Sequence, residues 1–363
     1  MIHRSRAAGL LLLGAALLAA APGRAAENPD RVAVVQRAID DVFRPAYRDL
    51  AARAGEMAAA EDALCKAPSE AALLAARQGF AGLVTAFSRI EFVRFGPIMQ
   101  DNRIDRFLFW PDRRGVALRQ VQALLVAKDE AATTVEGLRA KSVAVQGLNA
   151  LEFVLFGTNA DSLTTPDGSF RCRYGAAIAT SVSATSGEIA KGWDDPEGIA
   201  KAMTHPSADS PAYRQIDDSL DEIIGTLVHA FEAIRDLRIQ PGYGDTIAEA
   251  NPKGWLYQRS ELTEASLQAN FSGLSELYDR SGIGSLLPPA QHGMDASIDF
   301  EFANAGKAFQ ALTVPLAVAA GDPERRDRVG YLLIVTHSLQ DLFADQFAPA
   351  VGLQAGFSSL DGD

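Results

Sequence analysis

The amino-acid sequence predicts an all-α protein made of two four-helix, up-and-down bundles. Three observations indicate this fold class. Apolar residues recur at spacings of three and four, alternating strand-like patterns are scarce, and alanine and leucine are abundant. Segments rich in proline and glycine separate the apolar stripes. Each half of the chain then holds about four long helices, the content of one bundle, and a distant duplication of a single bundle would explain the two halves.

The clearest amphipathic stripe lies in the second half of the chain. It consists of Ile216, Leu220, Ile223, Leu227, Phe231 and Ile234. One apolar face of this kind predicts a long helix packed against a core. Similar stripes start at Val35 and Leu73, and residues 143–156 and 331–343 are further helical segments. These segments are the predicted helices around which the bundles form.

The boundary between the bundles is expected within residues 193–211, which are rich in Asp, Pro and Ser. An N-terminal bundle would then cover residues 26–200 and a C-terminal bundle residues 201–363. A second irregular stretch, residues 240–259, carries several Pro, Gly and Asn residues. Long ordered loops are often functional, but a plain surface excursion is an equally good interpretation. The aromatics at its end, around Trp255, are interpreted as core residues.

The N-terminal segment, residues 1–25, has the order of a secretory signal peptide. Basic residues come first, an apolar run follows over 7–21, and small residues then offer a cleavage site. The apolar run is shorter than the about 20 residues of a membrane span. We therefore expect export to the periplasm with cleavage, in preference to a retained anchor. The formal net charge of −12 repels phosphate backbones, so no nucleic-acid partner is expected.

The chain contains two cysteines, Cys65 and Cys172. An even pair in an exported protein is a disulfide candidate. The bond would close a loop of more than one hundred residues, for which the chain-entropy model gives roughly 4–5 kcal/mol. Two separate free thiols are the alternative. The oxidising compartment favours the bond.

A single acidic side chain falls on an apolar helix face. At about 100° per residue, Glu152 lies within the arc of Leu148, Leu155 and Phe156, and Asn149 lies at its edge. A buried carboxylate must be protonated, paired with a cation or bound to a metal. Two interpretations stay open here. Glu152 belongs to a ligand site, or it pairs with a buried arginine and only holds helices together.

The segment 94–112 is dense in arginine, aspartate and aromatic residues. Its arginines would supply the cation that Glu152 requires, because guanidinium offers carboxylates a planar fork of donors. Within the segment, Asp101 or Asn102 would cap the turn that follows these two residues. The segment either lines a polar pocket between the bundles or forms a structural ion network.

The histidines give no metal-binding pattern. None has a partner at the H-E-x-x-H spacing, and the chain has no glycine-rich phosphate loop, C-x-x-C pair or G-x-S-x-G elbow. His337 and Asp341 are four residues apart and are expected to pair with each other. No hydrolytic motif therefore stands out.

Four segments, in order along the chain, resemble the imelysin family, also called peptidase M75. They are residues 94–112 with Asn102-Arg103 and Phe109-Trp110-Pro111-Asp112, Gly147–Glu152 at the place of the family's G-x-H-x-x-E motif, Arg259-Ser260, and the ending 356–363. The resemblance covers nearly all of the mature chain. It implies a helical, exported protein of two bundles with a polar site near their interface. It also implies a link to iron acquisition or iron regulation, and some members have been described as metallopeptidases.

The sequence departs from the family pattern at its central position, where Asn149 replaces the motif histidine. Imidazole is a good ligand for zinc or iron, whereas an amide oxygen is a hard and weak one. A metallopeptidase would also need a metal-activated water. We therefore expect a binding or accessory protein in iron uptake or iron-regulated physiology rather than an enzyme.

Two alternatives to the binding protein remain. A metal-dependent peptidase would need a replacement ligand such as His337, Glu91 or Asp101. An inactive protein that docks to a partner would need none. The expected partners are a small ligand or metal and other periplasmic iron-uptake proteins, and peripheral membrane association stays open.

The predicted ligand pocket combines the degenerate motif, the arginine-rich segment and the C-terminal motif. Its residues are Gly147, Asn149, Glu152, Arg94, Asp101, Asn102, Arg103, Arg106, Arg259 and Ser260. Glu152 is the candidate ligand for iron or another divalent metal. No catalytic residue is assigned.

Overall fold

The computed structural model describes residues 29–112 and 114–353, and over these ranges the chain is helical and forms no strand. The all-α prediction is confirmed. The predicted signal peptide, residues 1–25, and the ending 356–363 lie outside the described residues. Within the described ranges, the helices divide into two sets along the chain.

The first half of the described chain contains eight helices. They are α1 (Pro29–Arg37), α2 (Arg44–Lys66), α3 (Glu70–Ser88), α4 (Arg103–Phe107), α5 (Val116–Ala127), α6 (Val135–Arg139), α7 (Gly147–Phe156) and α8 (Ser169–Asp194). A π-helical segment, Ala38–Phe43, joins α1 to α2 without a break. Helix α2 packs against α3 and α8, and α7 packs against α8 and α3. These four helices form the N-terminal bundle.

The second half also contains eight helices. They are α9 (Ile199–Thr204), α10 (Ile216–Ala233), α11 (Gln240–Tyr243), α12 (Thr263–Ser281), α13 (Gly293–Gln310), α14 (Leu316–Ala320), α15 (Arg326–Asp341) and α16 (Ala348–Ala350). Two π-helical segments, Ile234–Ile239 and Leu342–Phe347, come after α10 and α15. Helix α10 packs against α15, and α13 packs against α12 and α15. These four helices form the C-terminal bundle.

Local sequence explains where the long helices begin and which faces they bury. The side chain of Ser69 caps α3 by accepting a hydrogen bond from the Ala72 amide at 3.2 Å. Gln215 and Asp218 form a capping box at the start of α10. The predicted stripe of α10 is buried along its length. Burial of one such aliphatic side chain contributes roughly 1.5–3 kcal/mol, so the stripe holds α10 in the core.

The two bundles share an extensive polar and apolar contact. Helix α1 packs against α9, α10 and α12, and α3 packs against α12. Arg238 forms a buried ion pair with Glu91 and donates a hydrogen bond to Ser266 Oγ at 2.6 Å. The Asn270 amide group donates to the Ser88 carbonyl at 2.6 Å. The division after residue 200 stays a prediction, and α1 contacts helices on the far side of it.

A disulfide joins Cys65, near the end of α2, to Cys172, in the first turn of α8. The Cα atoms are 5.5 Å apart and the sequence separation is 107 residues. The predicted pairing is confirmed. It ties together the two helices that pack most closely in the N-terminal bundle.

Among the described residues, α3 is the one helix long and apolar enough to cross a membrane by length and composition. It packs against α2, α7 and α12, and its apolar side chains from Leu73 to Phe87 are largely buried. A buried core helix can be as long and as apolar as a membrane-spanning helix. Its apolar character is accounted for by the core.

Candidate functional site

The site begins at Gly147, the first residue of α7. Its φ of +69° lies in the left-handed region, and a Cβ there would lie 2.3 Å from the Phe107 carbonyl oxygen and 2.5 Å from that of Arg106. Glycine alone combines this backbone conformation with so close an approach. The end of α4 therefore lies directly against the start of α7.

Gly147→Ala is expected to lower the free energy of unfolding by about 2–4 kcal/mol, because the new methyl group meets two backbone oxygens in a strained conformation. Urea denaturation would measure the loss. Gly187→Ala in α8 is the matched control, since a Cβ there meets no atom within 4 Å. A helix-interior Gly→Ala change of that kind should raise stability by about 0.5–1 kcal/mol. A Gly147→Ala protein as stable as wild type would contradict the assignment of this contact.

Glu152 lies just over one turn further along α7 and is 4% exposed. Its Oε1 accepts hydrogen bonds from the Ser260 amide at 3.0 Å and from Ser260 Oγ at 2.8 Å. The Arg259 guanidinium lies 3.9 Å from Oε2. Burial raises the pKa of the Glu152 carboxyl, while the Ser260 hydrogen bonds and the Arg259 charge act in the opposite direction. The predicted burial of this carboxylate is confirmed.

A tight turn in the C-terminal half presents Ser260 to Glu152. Two non-glycine residues of the turn, Tyr257 and Glu261, have φ near +60°, a conformation that costs roughly 1–2 kcal/mol per residue. Ser260 Oγ also lies 3.1 Å from the Tyr257 carbonyl oxygen, so its one proton is shared between that oxygen and Glu152. The hydrogen bonds from Ser260 to the Glu152 carboxylate thus stabilise the strained turn.

Asn149 is fixed from one side only. Its Nδ2 donates to the Phe109 carbonyl oxygen at 2.8 Å, whereas its buried Oδ1 has no hydrogen-bond partner among the described residues. The neighbouring Trp110 donates from Nε1 to the Leu237 carbonyl at 2.8 Å, which ties this segment to the second half. Asp112 caps α5 by accepting from two backbone amides. The side chain of Asn149 therefore presents an unused acceptor.

These residues enclose a cavity of about 180 Å³ between the two halves, called here the Glu152 cavity. It is lined by Trp110, Asp112, Gly115, Ala117, Leu118, Val121, Asn149, Glu152, Phe153, Lys253, Trp255, Leu256, Tyr257 and Arg259. A wider cavity of about 550 Å³ shares Trp110, Asp112 and Lys253 with it. Asp236, Asp245 and Glu249 line this outer cavity and give it an acidic character.

Five of the predicted site residues come together. Gly147, Asn149, Glu152, Arg259 and Ser260 surround the Glu152 cavity or position its wall. The predicted origin of the cation was wrong, because it is Arg259, and not the arginine-rich segment, that lies beside Glu152.

The end of the arginine-rich segment, Trp110 and Asp112, lines the Glu152 cavity, but the segment's arginines do not. Arg103 donates to the Pro97 carbonyl at 2.8 Å and lies 3.2 Å from Glu188 of α8. Arg106 donates to the Arg139 carbonyl at 3.2 Å. The physical reason is the phase of α4, whose inward face is taken by the buried Ile104 and Phe107.

The remaining predicted residues of this segment, Arg94, Asp101 and Asn102, are exposed at the surface and do not line the Glu152 cavity. Asp101 and Asn102 both have φ of +54°, and Asn102 precedes α4 without forming a side-chain cap. The expected cap is therefore wrong. These two residues turn the chain instead.

The side chains around Glu152 do not suit a tightly held bare metal ion. Among the described residues, no group of three His, Cys, Asp or Glu ligand atoms includes Glu152. The replacement ligands considered for a peptidase lie elsewhere: Glu91 pairs with Arg238, His337 lies 3.5 Å from Asp341, and Asp101 is exposed. Asp112 also lines the cavity, but both of its carboxylate oxygens accept hydrogen bonds from backbone amides of α5. The oxygens of Glu152 and Asn149 remain, fewer than the three protein ligands of a catalytic zinc site.

Several lining residues were not among the predicted site residues. Lys253, Trp255 and Tyr257 come from the irregular stretch 240–259. Trp255 and Tyr257 are core residues, as expected, but they also form the cavity wall. The proline- and glycine-rich composition of that stretch was the signal that could have placed them in the site.

The chain matches known proteins along most of its length. A family model described as Imelysin matches residues 43–343. Iron-regulated protein A of Synechococcus elongatus is 26% identical over 330 residues, covering 87% of this chain and 86% of that protein. An imelysin-like protein from Psychrobacter arcticum aligns with a TM-score of 0.78 at 22% identity, covering 91% of this chain and 98% of that one. A candidate iron-regulated protein A precursor from Parabacteroides distasonis aligns with a TM-score of 0.73 at 15% identity, covering 90% and 97%. The two structural likenesses show a shared fold.

Proposed function

Because this chain belongs to the imelysin family, we propose that it is an exported binding or accessory protein of iron-related physiology that takes a small ligand in the Glu152 cavity. The name of its relative, Iron-regulated protein A, supports the link to iron. The observation that carries the proposal is the pairing of a buried carboxylate with an unused buried acceptor in one cavity.

An unused acceptor is a strong constraint on the ligand. A buried polar atom with no hydrogen bond costs roughly 1–3 kcal/mol. Asn149 Oδ1 is such an atom, and Nδ2 of the same side chain is already used. A ligand that donates an N–H or O–H group to Oδ1 would recover this energy. Glu152 Oε2 is the second acceptor at this end of the cavity.

The wall of the Glu152 cavity also carries positive charge. Arg259 and Lys253 line the cavity, and guanidinium and ammonium groups bind carboxylates and other anions. A small anionic chelator that keeps a hydroxyl or amine donor meets both requirements. The volume of about 180 Å³ is below the 300–1,000 Å³ of ordinary ligand pockets. The ligand would therefore be small, because the acidic outer cavity does not favour an anion.

Peptide hydrolysis is not proposed for this chain. A metallopeptidase needs about three protein ligands and an open position for an activated water. Glu152 and Asn149 supply two oxygens, and the nearby Arg259 guanidinium opposes a second positive charge. A bound chelate, which brings most of its own metal ligands, does not have this difficulty.

Ferric citrate and citrate alone are suitable calorimetric probes of this site. Glu152→Gln and Asn149→Ala are each expected to weaken binding about tenfold to a hundredfold, as the loss of a charged or buried hydrogen bond implies. Arg103→Ala is the matched control, because this arginine contacts Pro97 and Glu188 outside the cavity. It should bind as wild type does. Equal binding by wild type and both site variants, or loss in the Arg103 variant alone, would reject the cavity as the binding site.

Export is the second part of the proposal. Its support is the order of basic, apolar and small residues over 1–25. Fractionation of a Gram-negative host that produces the full chain should release it with the periplasm, and the mature protein should start near residue 26. Retention in the cytoplasm at full length would contradict this part.

A further inference from the structure

A second buried carboxyl group lies in the N-terminal bundle, away from the Glu152 cavity. Glu61 of α2 is 0% exposed, and neither of its carboxyl oxygens has a hydrogen-bond partner among the described residues. Burial raises the pKa of this carboxyl to about 8. The group points at Gly175 of α8, where a Cβ would lie 2.3 Å from Oε1. The absence of a side chain at Gly175 thus makes room for the Glu61 carboxyl group, which forms no hydrogen bond there with any described residue.

The disulfide lies beside this carboxyl. Glu61 and Cys65 are four residues apart on α2 and therefore share a face, and Cys172 approaches from α8. The ligand atoms of these three residues lie within 4.8 Å of one another. Within the described ranges, they are the one group of three His, Cys, Asp or Glu residues placed so closely.

Reduction would turn the sulfurs into metal ligands. A disulfide sulfur is a poor ligand, whereas thiolates bind zinc and similar ions strongly. Cys172 lies in the first turn of α8, a helix of 26 residues, and the positive end of a helix favours the thiolate. Cys65 is only partly buried and comes after the exposed residues Asp62 and Ala63, so a reductant reaches its sulfur more readily than that of Cys172.

The dimensions of the group also suit a small ion. Zinc binds thiolate at about 2.3 Å and carboxylate oxygen at about 2.0–2.2 Å, which places tetrahedral ligand atoms about 3.5–4 Å apart. The separations within the group, at most 4.8 Å, are of this order, and the two sulfurs are free to move apart once their bond is broken. A water would complete the coordination.

We propose that Glu61, Cys65 and Cys172 form a redox-gated site for a divalent thiophilic ion such as Zn²⁺, closed by the disulfide and opened by its reduction. A dithiol reductant transfers two electrons and two protons to the disulfide, which becomes two thiols while the reductant becomes a disulfide. The ion then displaces the two thiol protons and the carboxyl proton of Glu61. Reoxidation by a disulfide-forming oxidant reverses the sequence and releases the ion.

Zinc titration of the full mature chain against a chromophoric zinc indicator tests this proposal. The chain is compared oxidised and after reduction by a phosphine, which contributes no thiol of its own. The reduced protein is expected to bind one Zn²⁺ about 100-fold or more tightly than the oxidised protein, because two thiolate ligands appear. Glu61→Gln should weaken binding at least about tenfold. Even residues that only hydrogen-bond to a metal ligand typically change metal affinity about tenfold or more, and Glu61 is proposed as a ligand itself. Asp62→Asn, on the exposed side of the same helix turn, is the matched control and should bind as wild type does.

Two further measurements test whether the cysteines bind the ion and whether the reduced protein stays folded. Co²⁺ bound to the reduced protein should show thiolate-to-cobalt charge-transfer absorption, which Cys65→Ser should weaken and Cys65→Ser together with Cys172→Ser should abolish. If reduction lowers the helical circular dichroism, Zn²⁺ should restore it in wild type and not in Glu61→Gln. Equal zinc affinity of oxidised and reduced protein, or wild-type affinity in reduced Glu61→Gln, overturns the proposal. Neither result would bear on the Glu152 cavity.

Discussion

Glu61→Gln is expected to reduce the loss of stability that the oxidised protein undergoes between pH 5 and pH 8. In the folded chain the Glu61 carboxyl has a pKa of about 8, against an ordinary value of 4.5. The folded state therefore keeps a proton that the unfolded state loses in this window. The free energy of unfolding then falls as the pH rises, by about 1.4 kcal/mol per pH unit, and the total approaches about 5 kcal/mol. Below pH 4.5 and above about 8, both states have the same charge at this position, and its contribution no longer changes.

Urea denaturation at pH 5, 7 and 9 would measure this effect. The glutamine amide still lacks a buried partner, which costs roughly 1–3 kcal/mol. Protonated Glu61 lacks a hydrogen-bond partner within the described ranges as well. We therefore expect the variant to be about as stable as wild type at pH 5 and more stable at pH 9. Asp62→Asn, on the exposed side of the same turn, should match the wild-type profile. Parallel profiles for wild type and Glu61→Gln would show that this carboxyl is hydrated or paired in solution.

The fold was predictable because its signals are local and repeated. The stripe expected over 216–234 became α10, Ile216–Ala233. Its apolar spacing is maintained over five turns, and no other structure satisfies such a pattern. The burial of Glu152 could be inferred from the same helical phase and required no knowledge of its partners.

The partners of Glu152 could not be predicted in the same way. Arg259 and Ser260 are more than one hundred residues away in the chain, and a strained turn with left-handed Tyr257 brings them to the carboxylate. No periodic pattern encodes such a turn. The nearer arginines were the simpler expectation, but the short helix α4 directs Arg103 and Arg106 away from α7.

Glu61 was not among the predicted site residues, although the sequence already indicated that its side chain is buried. Leu50, Ala54, Met57, Glu61 and Leu64 have alternating spacings of four and three, and all five are buried. This spacing places Glu61 in the middle of the apolar stripe of α2. The many alanines around it weaken the contrast between the two faces, so the stripe is less evident than that of α10. A carboxylate in such a stripe indicates a buried group that must be protonated, paired or bound to a metal, as Glu152 does in α7.

Removal of the disulfide has the second large expected effect. With a sequence separation of 107 residues between the cysteines, the chain-entropy model predicts that Cys65→Ala together with Cys172→Ala lowers the free energy of unfolding by roughly 4–5 kcal/mol. The cause lies mainly in the unfolded chain, which gains conformational freedom. Native domains are typically stable by about 5–15 kcal/mol, so a folded but weakened protein is expected.

Urea denaturation at pH 7, with and without reductant, measures this loss and provides its own control. Reductant should destabilise wild type to the level of the double variant and should leave the double variant unchanged. The corresponding double serine variant should be more stable than the alanine pair by about 1 kcal/mol, because a serine hydroxyl beside Glu61 can donate to its unsatisfied carboxyl. Wild type that keeps its full stability after complete reduction would contradict the entropic role of the bond. Alanine and serine pairs of equal stability would instead show that the Glu61 carboxyl does not lie within reach of the sulfur positions.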